Sequence, residues 1–325
     1  MAKVWFNNDP SFDCSTLVND LATAGIETIV KKVPATDYTA ILEMANSVDA
    51  VVSSNERWNS ESLPGLKNKK NLIIRYGTGI DNIDLALATE LGVPIANCAG
   101  ANAVPVAEVA LMHMLNCMRR FSYSAAGSRA GRWPCNFQGN EIDGKTVGFV
   151  GFGNIAKNVR RMISGFDCRV LAYDAFMRPD EEKFNVTAVD SIEEIFRQCD
   201  IISLHIPLND ATRKSINMKY FDVMKPSAYL INTARGGIID EDDLVQALNE
   251  GKLRGAGLDV MTVEPPAPDH PLLHMENVFV TTHMAAGSDE SEIRTQHMLA
   301  KTIIDYMDGK VPVNIMNKQV LNEQN

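Results

Sequence analysis

Three residues late in the chain are of types that could do chemistry together. Arg235 follows the apolar run 228–232, Glu264 lies in Val263-Glu264-Pro265-Pro266, and His283 ends the apolar run 278–282. The guanidinium of Arg235 is a planar fork that can bind a carboxylate through two hydrogen bonds and polarise a neighbouring carbonyl oxygen. The imidazole of His283 can give and take a proton near neutral pH. Glu264 could accept from the second imidazole nitrogen, fixing the tautomer and favouring the charged ring. Anion clamp, proton donor and orienter of that donor are what a carbonyl beside a carboxylate needs when it accepts a hydride. Spacing is not proximity, so the residues alone leave alternatives open. Arg235 suits a structural ion pair, Glu264 suits a solvated loop acid, and His283 suits either role. His113, His205, His270, His274 and His297 read as structural, His113 most firmly because it falls mid-helix.

Such a set works only if the fold brings strand ends together, and residues 145–174 carry the strongest organising signal. The apolar run 146–150 has the look of a buried parallel strand. Gly151-Phe152-Gly153-Asn154-Ile155-Ala156 then opens a helix with apolar residues at Ile155, Val159, Met162 and Ile163. A second apolar run, 169–173, ends at Asp174. Strand, G-x-G-x-x-A, helix, strand and acid make a dinucleotide-binding unit, each part with a mechanical reason. Gly151 allows the tight turn and Gly153 lets the backbone approach a pyrophosphate. Ala156 lets the helix pack on the strand, and the helix N-terminus presents N–H groups to phosphate. Asp174 can accept from ribose hydroxyls. A plain βαβ unit with a glycine turn is the alternative.

The alternation continues on both sides. Strand-like runs at 3–6, 27–33, 50–53, 72–75 and 94–97 are separated by helical patterns at 16–24, 38–45 and 85–91, an open parallel-sheet pattern. Arg75-Tyr76-Gly77-Thr78-Gly79-Ile80-Asp81 follows one of these strands, where glycines can free backbone N–H groups as a nest for an anion. A tight βα turn is its bland counterpart. A long helix is expected over 105–121, then an irregular polar stretch over 122–144, long enough to be functional or interfacial. Past Asp174, strands are expected at 201–204 (ending His205-Ile206-Pro207), 228–232, 255–259 and 278–282. Helices are expected at 191–198, 218–224, 242–250 and 289–308. Ionisable groups thus follow several strand ends, where a doubly wound sheet places its ligand. A domain boundary is expected near Ala99-Gly100.

Composition narrows the classes. With 325 residues, 45% of them hydrophobic and 22% charged, the chain suits two soluble globular domains. A net charge of −10 argues against nucleic acid or an anionic membrane as the main partner. The N-terminus shows no signal pattern and no apolar run nears the roughly 18 residues of a membrane span. The cysteines (Cys14, Cys98, Cys117, Cys135, Cys168, Cys199) lack metal spacing and read as reduced thiols of a cytoplasmic protein, with no metal expected.

Several segments appear in order: residues 77–84, 102–108, 151–156, Asn232-Thr233-Ala234-Arg235-Gly236-Gly237, Gly257-Leu258-Asp259-Val260 with Glu264-Pro265, and Thr282-His283-Met284-Ala285-Ala286-Gly287. Together they resemble the D-isomer-specific 2-hydroxyacid dehydrogenases, nearest the branch of phosphoglycerate dehydrogenase and hydroxypyruvate or glyoxylate reductases. The resemblance implies an α/β fold of two doubly wound parallel-sheet domains. A Rossmann cofactor domain, 101–288, would be inserted in a flavodoxin-like substrate domain, 1–100 plus 289–325. It implies Arg235, Glu264 and His283 as the catalytic set, with NAD as cofactor. Gly151, Gly153, Asn154, Ile155, Asp174, Pro207, Thr233, Ala234, Arg235, Asp259 and His283 would contact NAD, Asp259 near the nicotinamide carboxamide. Thr78, Gly79 and Arg235 would hold the substrate.

The resemblance also implies a homodimer through the cofactor domain and a small 2-keto or 2-hydroxy acid as substrate, hydroxypyruvate or glyoxylate ahead of a phosphorylated one. Enzymes of the family that take phosphoglycerate bring extra arginines to the cleft; here Arg57 and Arg132 fall beside the expected positions, and Arg75 is retained. The alternatives are a short phosphoglycerate dehydrogenase without its regulatory domain, and a dinucleotide-sensing binding protein like the C-terminal-binding corepressors. A formate dehydrogenase is disfavoured, because that activity goes with glutamine at the place of Glu264. Thr282, where proline is common, and Ala156 depart from the usual motif without touching the chemistry.

Overall fold

The computed structural model describes residues 1–68, 70–133, 138–176 and 178–322. Cys135 and residues 134–137 of the expected irregular stretch lie outside them. The chain divides into two compact units, Met1–Asn102 with Gly287–Asn325, and Ala103–Ala286.

The first unit holds five strands, β1 (Lys3–Phe6), β2 (Glu27–Val30), β3 (Ala50–Ser53), β4 (Leu72–Arg75) and β5 (Ile95–Ala96). All pair in parallel in the order β2-β1-β3-β4-β5, the flavodoxin-like order. Both faces are covered, so β3 and β4 read as continuous apolar runs rather than alternating ones. One face packs Val4, Phe6, Val52 and Ile74 with Leu17, Leu21, Leu299 and Ile303. The other packs Trp5, Val51 and Ile73 with Ile41, Trp58 and Ile95. Leu299 and Ile303 belong to the helix Asp289–Met307, which carries the chain back onto this unit. Ser288 caps it, accepting from the Ser291 N–H at 3.1 Å. Asp37 and Asp84 cap the helices after them in the same way.

The second unit holds β6 (Thr146–Val150), β7 (Arg169–Tyr173), β8 (Thr187–Ala188), β9 (Ile201–Leu204), β10 (Tyr229–Asn232), β11 (Gly255–Leu258) and β12 (Val278–Val280). They form one parallel sheet in the order β12-β11-β10-β9-β6-β7-β8. The order reverses between β6 and β9, which makes that edge the switch point where a ligand's crevice opens. Every residue of β9, β10 and β11 is buried. The helix Ala103–Arg119 covers one face and packs Ala107, Ala110 and Met114 against Val147, Phe149 and Ile231.

One expectation is corrected. The stretch after the long helix is not irregular from its start, because Phe121–Arg129 is a second helix. Arg120, at φ 51, breaks the first helix in a left-handed turn, and the new one runs through Ser-Tyr-Ser-Ala-Ala-Gly-Ser. Serine and glycine have low helix propensity, so the local pattern hides it. The short helix Glu181–Phe184 and strand β8 also carry too few residues for a periodic signal.

Candidate functional site

In the second unit the residues singled out in the sequence follow the carboxyl ends of the strands. After β6, Gly151 sits at φ +89, and a Cβ there would lie 2.7 Å from the His205 carbonyl oxygen. Only glycine fits both constraints. The helix Asn154–Met162 starts directly after Gly153, and a Cβ on Gly153 would meet nothing within 4 Å. Room beside a helix N-terminus is what a pyrophosphate needs. Asp174, after β7, accepts from the Phe152 N–H at 2.8 Å and the Phe176 N–H at 2.9 Å. Its carboxylate therefore braces the glycine turn.

Two groups after strands of this sheet have buried polar atoms without partners among the described residues. They are the Thr233 hydroxyl and both ring nitrogens of His205. His205 as a residue is only partly buried, but its nitrogens are sealed, and burial pushes its pKa down to about 3. The ring is neutral at any working pH. An orphaned hydroxyl after one strand and the open glycine turn after another fit a bound dinucleotide, which would supply the hydroxyl's missing partner.

At the other half of the sheet edge, β10 leads into Asn232-Thr233-Ala234-Arg235. Asn232, fully buried, donates from Nδ2 to the Arg235 carbonyl at 2.9 Å and accepts from the Ala234 N–H at 3.0 Å, which fixes the turn. The Arg235 guanidinium is half-buried and donates from Nη1 to the Ala234 carbonyl at 2.7 Å.

Glu264 and His283 are brought together, with Glu264 Oε2 2.6 Å from His283 Nδ1. The second oxygen, Oε1, accepts from the Met261 N–H at 2.9 Å, so the carboxylate is clamped from behind. His283 stands at φ 53, a left-handed conformation uncommon outside glycine. Asp259 holds that turn. Its carboxylate, 1% exposed, accepts from the Met284 N–H at 3.0 Å, the Ala285 N–H at 2.9 Å and the Thr281 hydroxyl at 2.6 Å. The Thr281 hydroxyl, having given its proton to Asp259, accepts from His113 Nε2 at 3.0 Å. Burial lowers the His113 pKa, opposed by the Asp259 charge, and a hydroxyl that already donates to Asp259 suits a ring with its proton on Nε2. Asp259, expected near a nicotinamide carboxamide, thus also braces the turn that carries His283. The chain His113–Thr281–Asp259 has no local signature, because its members lie far apart in sequence.

Thr78 and Gly79 belong to the first unit, after β4. Thr78 donates from Oγ1 to Asn102 Oδ1 at 2.9 Å, and its carbonyl accepts from Asn97 Nδ2 at 2.7 Å. The loop is thus held from the β5 side. Pro207 is exposed after β9, and its carbonyl accepts from the Thr212 hydroxyl at 2.6 Å. Among the described residues no cluster of three or more metal-ligating side chains occurs and no helix is long and apolar enough to cross a membrane. The five described cysteines are free thiols.

Comparison with known proteins adds the following. Residues 111–285 match the NAD binding domain of the D-isomer specific 2-hydroxyacid dehydrogenases. A hydroxypyruvate reductase of Thermotoga maritima is 37% identical over 81% of this chain and 86% of its own. A D-3-phosphoglycerate dehydrogenase of Methanocaldococcus jannaschii is 35% identical over 85% of this chain; the chain spans about half of that relative, 53%. Among solved structures, an acyclic imino acid reductase (Bsp5) in complex with NADPH and D-Arg superposes with a TM-score of 0.88. It is 28% identical, covering 97% of this chain and 99% of its own.

Proposed function

This chain belongs to the D-isomer specific 2-hydroxyacid dehydrogenases, NAD-binding oxidoreductases, and from that premise we propose that it reduces a small 2-keto acid, hydroxypyruvate or glyoxylate, with NADH. The observation that carries the reading is the 2.6 Å contact of His283 Nδ1 with Glu264 Oε2. With Nδ1 turned to a carboxylate, the ring's remaining nitrogen, Nε2, is the one that delivers the proton. Bound NADH supplies the hydride to the carbonyl carbon. Arg235 binds the substrate carboxylate and polarises the carbonyl oxygen, and the Thr78-Gly79 loop of the first unit carries backbone N–H groups suited to a carboxylate. His283 gives its Nε2 proton to the developing alkoxide, and Glu264 holds the ring in register while its charge changes. Gly151, Gly153, Asn154, Ile155, Asp174, Pro207, Thr233, Ala234, Arg235, Asp259 and His283 contact the dinucleotide, Asp259 near the nicotinamide carboxamide.

The orphaned Thr233 hydroxyl and the open Gly153 turn support the cofactor assignment. A homodimer through the second unit is part of the proposal. It is supported by the exposed apolar residues Met112, Leu115 and Phe121 on and after the helix Ala103–Arg119. So is a cytoplasmic setting, which the free thiols favour. The experiment is NADH oxidation against a panel of 2-keto acids, with His283→Gln as control. Turnover of hydroxypyruvate or glyoxylate, lost in the variant, is expected; no turnover of any member would sink the reading.

A further inference from the structure

The first unit contains a carboxyl group that the chemistry above does not use. Glu56, between the exposed Asn55 and Arg57, is itself 0% exposed. Its Oε2 accepts from Asn7 Nδ2 at 2.9 Å and the Ser54 N–H at 3.1 Å. Its Oε1 is buried without a partner among the described residues. Asn7 in turn accepts from the Val33 N–H at 2.8 Å through Oδ1. One carboxyl therefore gathers the chain just past β1, β2 and β3. The backbone on its other side reaches the loop after β4. The Glu56 carbonyl accepts from Asn82 Nδ2 at 2.6 Å, the Trp58 N–H donates to the Asn82 carbonyl at 2.9 Å, and the Asp84 N–H donates to the Trp58 carbonyl at 2.7 Å. Trp58 and Ile83 pair as an isolated parallel bridge.

The loop 77–84 is thus gripped from two sides. Asn97 and Cys98 hold Thr78 and Gly77 on one, at 2.7 and 2.8 Å, and the segment 53–58 holds Asn82 and Asp84 on the other. We infer that Glu56 is a positioning residue for the substrate: its buried carboxyl locks the segment 53–58, and that segment sets the backbone of the Thr78-Gly79 loop. The inference rests on the reading of Thr78 and Gly79 as the carboxylate site.

The chemistry of the group explains why an acid can serve. A buried carboxylate is costly unless paired, and burial raises the Glu56 pKa, opposed by hydrogen bonds such as those from Ser54 and Asn7. The charged groups on the elements meeting here are Asp9, Lys31, Lys32, Arg57, Arg75, Asp81 and Asp84. Arg57 is exposed, and Arg75 donates from Nη1 to the Ser53 carbonyl at 3.4 Å and to that of Tyr76. Both partners of Oε2 are N–H donors, so the group serves as an acceptor that a side-chain amide oxygen of the same size could replace.

Two variants and two readouts test this. Glu56→Ala should raise KM for hydroxypyruvate about tenfold or more, leaving kcat and the KM for NADH within about twofold, because small displacements of a binding loop are costly. Glu56→Gln, an isostere whose amide oxygen can accept the bonds from Asn7 and the Ser54 N–H, should keep the wild-type KM. Amide hydrogen exchange provides the readout independent of turnover, with faster exchange over 77–84 in Glu56→Ala and not in Glu56→Gln. A keto-acid KM unchanged in Glu56→Ala, or an NADH KM raised by the same factor, overturns the inference. So does Glu56→Gln behaving like the alanine variant, which also decides the matter should Glu56→Ala not fold. If no 2-keto acid is turned over, the functional reading fails, while unchanged exchange over 77–84 would sink the positioning role by itself.

Discussion

The backbone of Gly236 passes so close to that of Met261 that a Cβ on the glycine would lie 2.0 Å from the Met261 carbonyl carbon. The two turns that meet here carry Arg235 on one side and, through the Met261 N–H, the clamped Glu264 on the other. Any side chain at 236 must push them apart, and backbone cannot swing away as a flexible side chain can. Overpacking of this kind costs about 1–3 kcal/mol. Gly236→Ala should therefore lower the melting temperature and cut kcat/KM by about 10² through misplacement of the anion clamp and proton donor. A variant with wild-type kcat/KM would show that the turns need not interlock.

Glu264→Gln keeps the size of the side chain and removes its charge. The amide cannot stabilise a ring that is charged before proton transfer, and it can present an N–H to Nδ1. Positioned proton transfer is worth about 10²- to 10⁴-fold. The expected result is a kcat lower by that order with KM little changed, since the loss falls on the transition state. Steady-state kinetics on the accepted keto acid decides it, and an unaltered kcat would make Glu264 a bystander.

Much of this arrangement is legible in the sequence, for identifiable reasons. Buried parallel strands are continuous apolar runs, so β1, β3, β4, β6 and β7 stand where their patterns place them. The glycine turn is legible because Gly151 meets a local steric demand. Asp259 is different: its partners Thr281, Met284 and Ala285 lie across the sheet edge, and nothing near residue 259 announces them. Glu56 is likewise invisible, since a charged residue among Asn55, Arg57 and Asn59 reads as surface until the fold buries it.

His205 gives a pH signature of stability. Its ordinary pKa of 6.5 falls to about 3 in the folded protein because burial penalises the charged ring. The unfolded chain takes up this proton as pH drops through 6.5 and the folded chain does not until about 3. Stability is thus lost as pH falls through that window, at about 1.4 kcal/mol per pH unit for one proton. His205→Gln should flatten the pH dependence of unfolding free energy by about one proton between pH 6 and 4, measured by urea denaturation without cofactor. An unchanged slope would mean that the ring titrates normally.

Cofactor choice turns on Asp174. Its carboxylate is fixed by the Phe152 and Phe176 N–H groups and cannot swing away from a 2′-phosphate. The nearby cation, Arg178, is spent on Asp190 at 2.7 Å and Glu181 at 3.8 Å, so it does not offset that charge. A fixed like charge selects against the phosphate. Comparison of kcat/KM should favour NADH over NADPH by about tenfold or more, equivalent to about 1.4 kcal/mol, and Asp174→Asn should narrow the gap. A wild-type preference for NADPH, the cofactor in the imino acid reductase structure, would refute this.

The substrate is decided by how much positive charge can be brought to it. A phosphorylated keto acid needs its phosphate neutralised, and a charge-assisted contact is worth roughly 1.5–3 kcal/mol. Arg75 already uses Nη1 on the Ser53 and Tyr76 carbonyls, which leaves less of its fork for an anion. Arg57 and Arg132 are both exposed, and ordering a long solvated side chain on a ligand offsets part of what the contact gains. Missing two such contacts costs about two to four powers of ten in transition-state binding. Hydroxypyruvate or glyoxylate should accordingly be reduced with higher kcat/KM than phosphohydroxypyruvate, although a phosphoglycerate dehydrogenase is among the relatives at 35% identity. The three substrates measured side by side on the wild type, Arg57→Ala and Arg132→Ala settle it. Should the phosphorylated substrate win, and lose its lead when either arginine is removed, those side chains close onto the phosphate and the protein is a phosphoglycerate dehydrogenase.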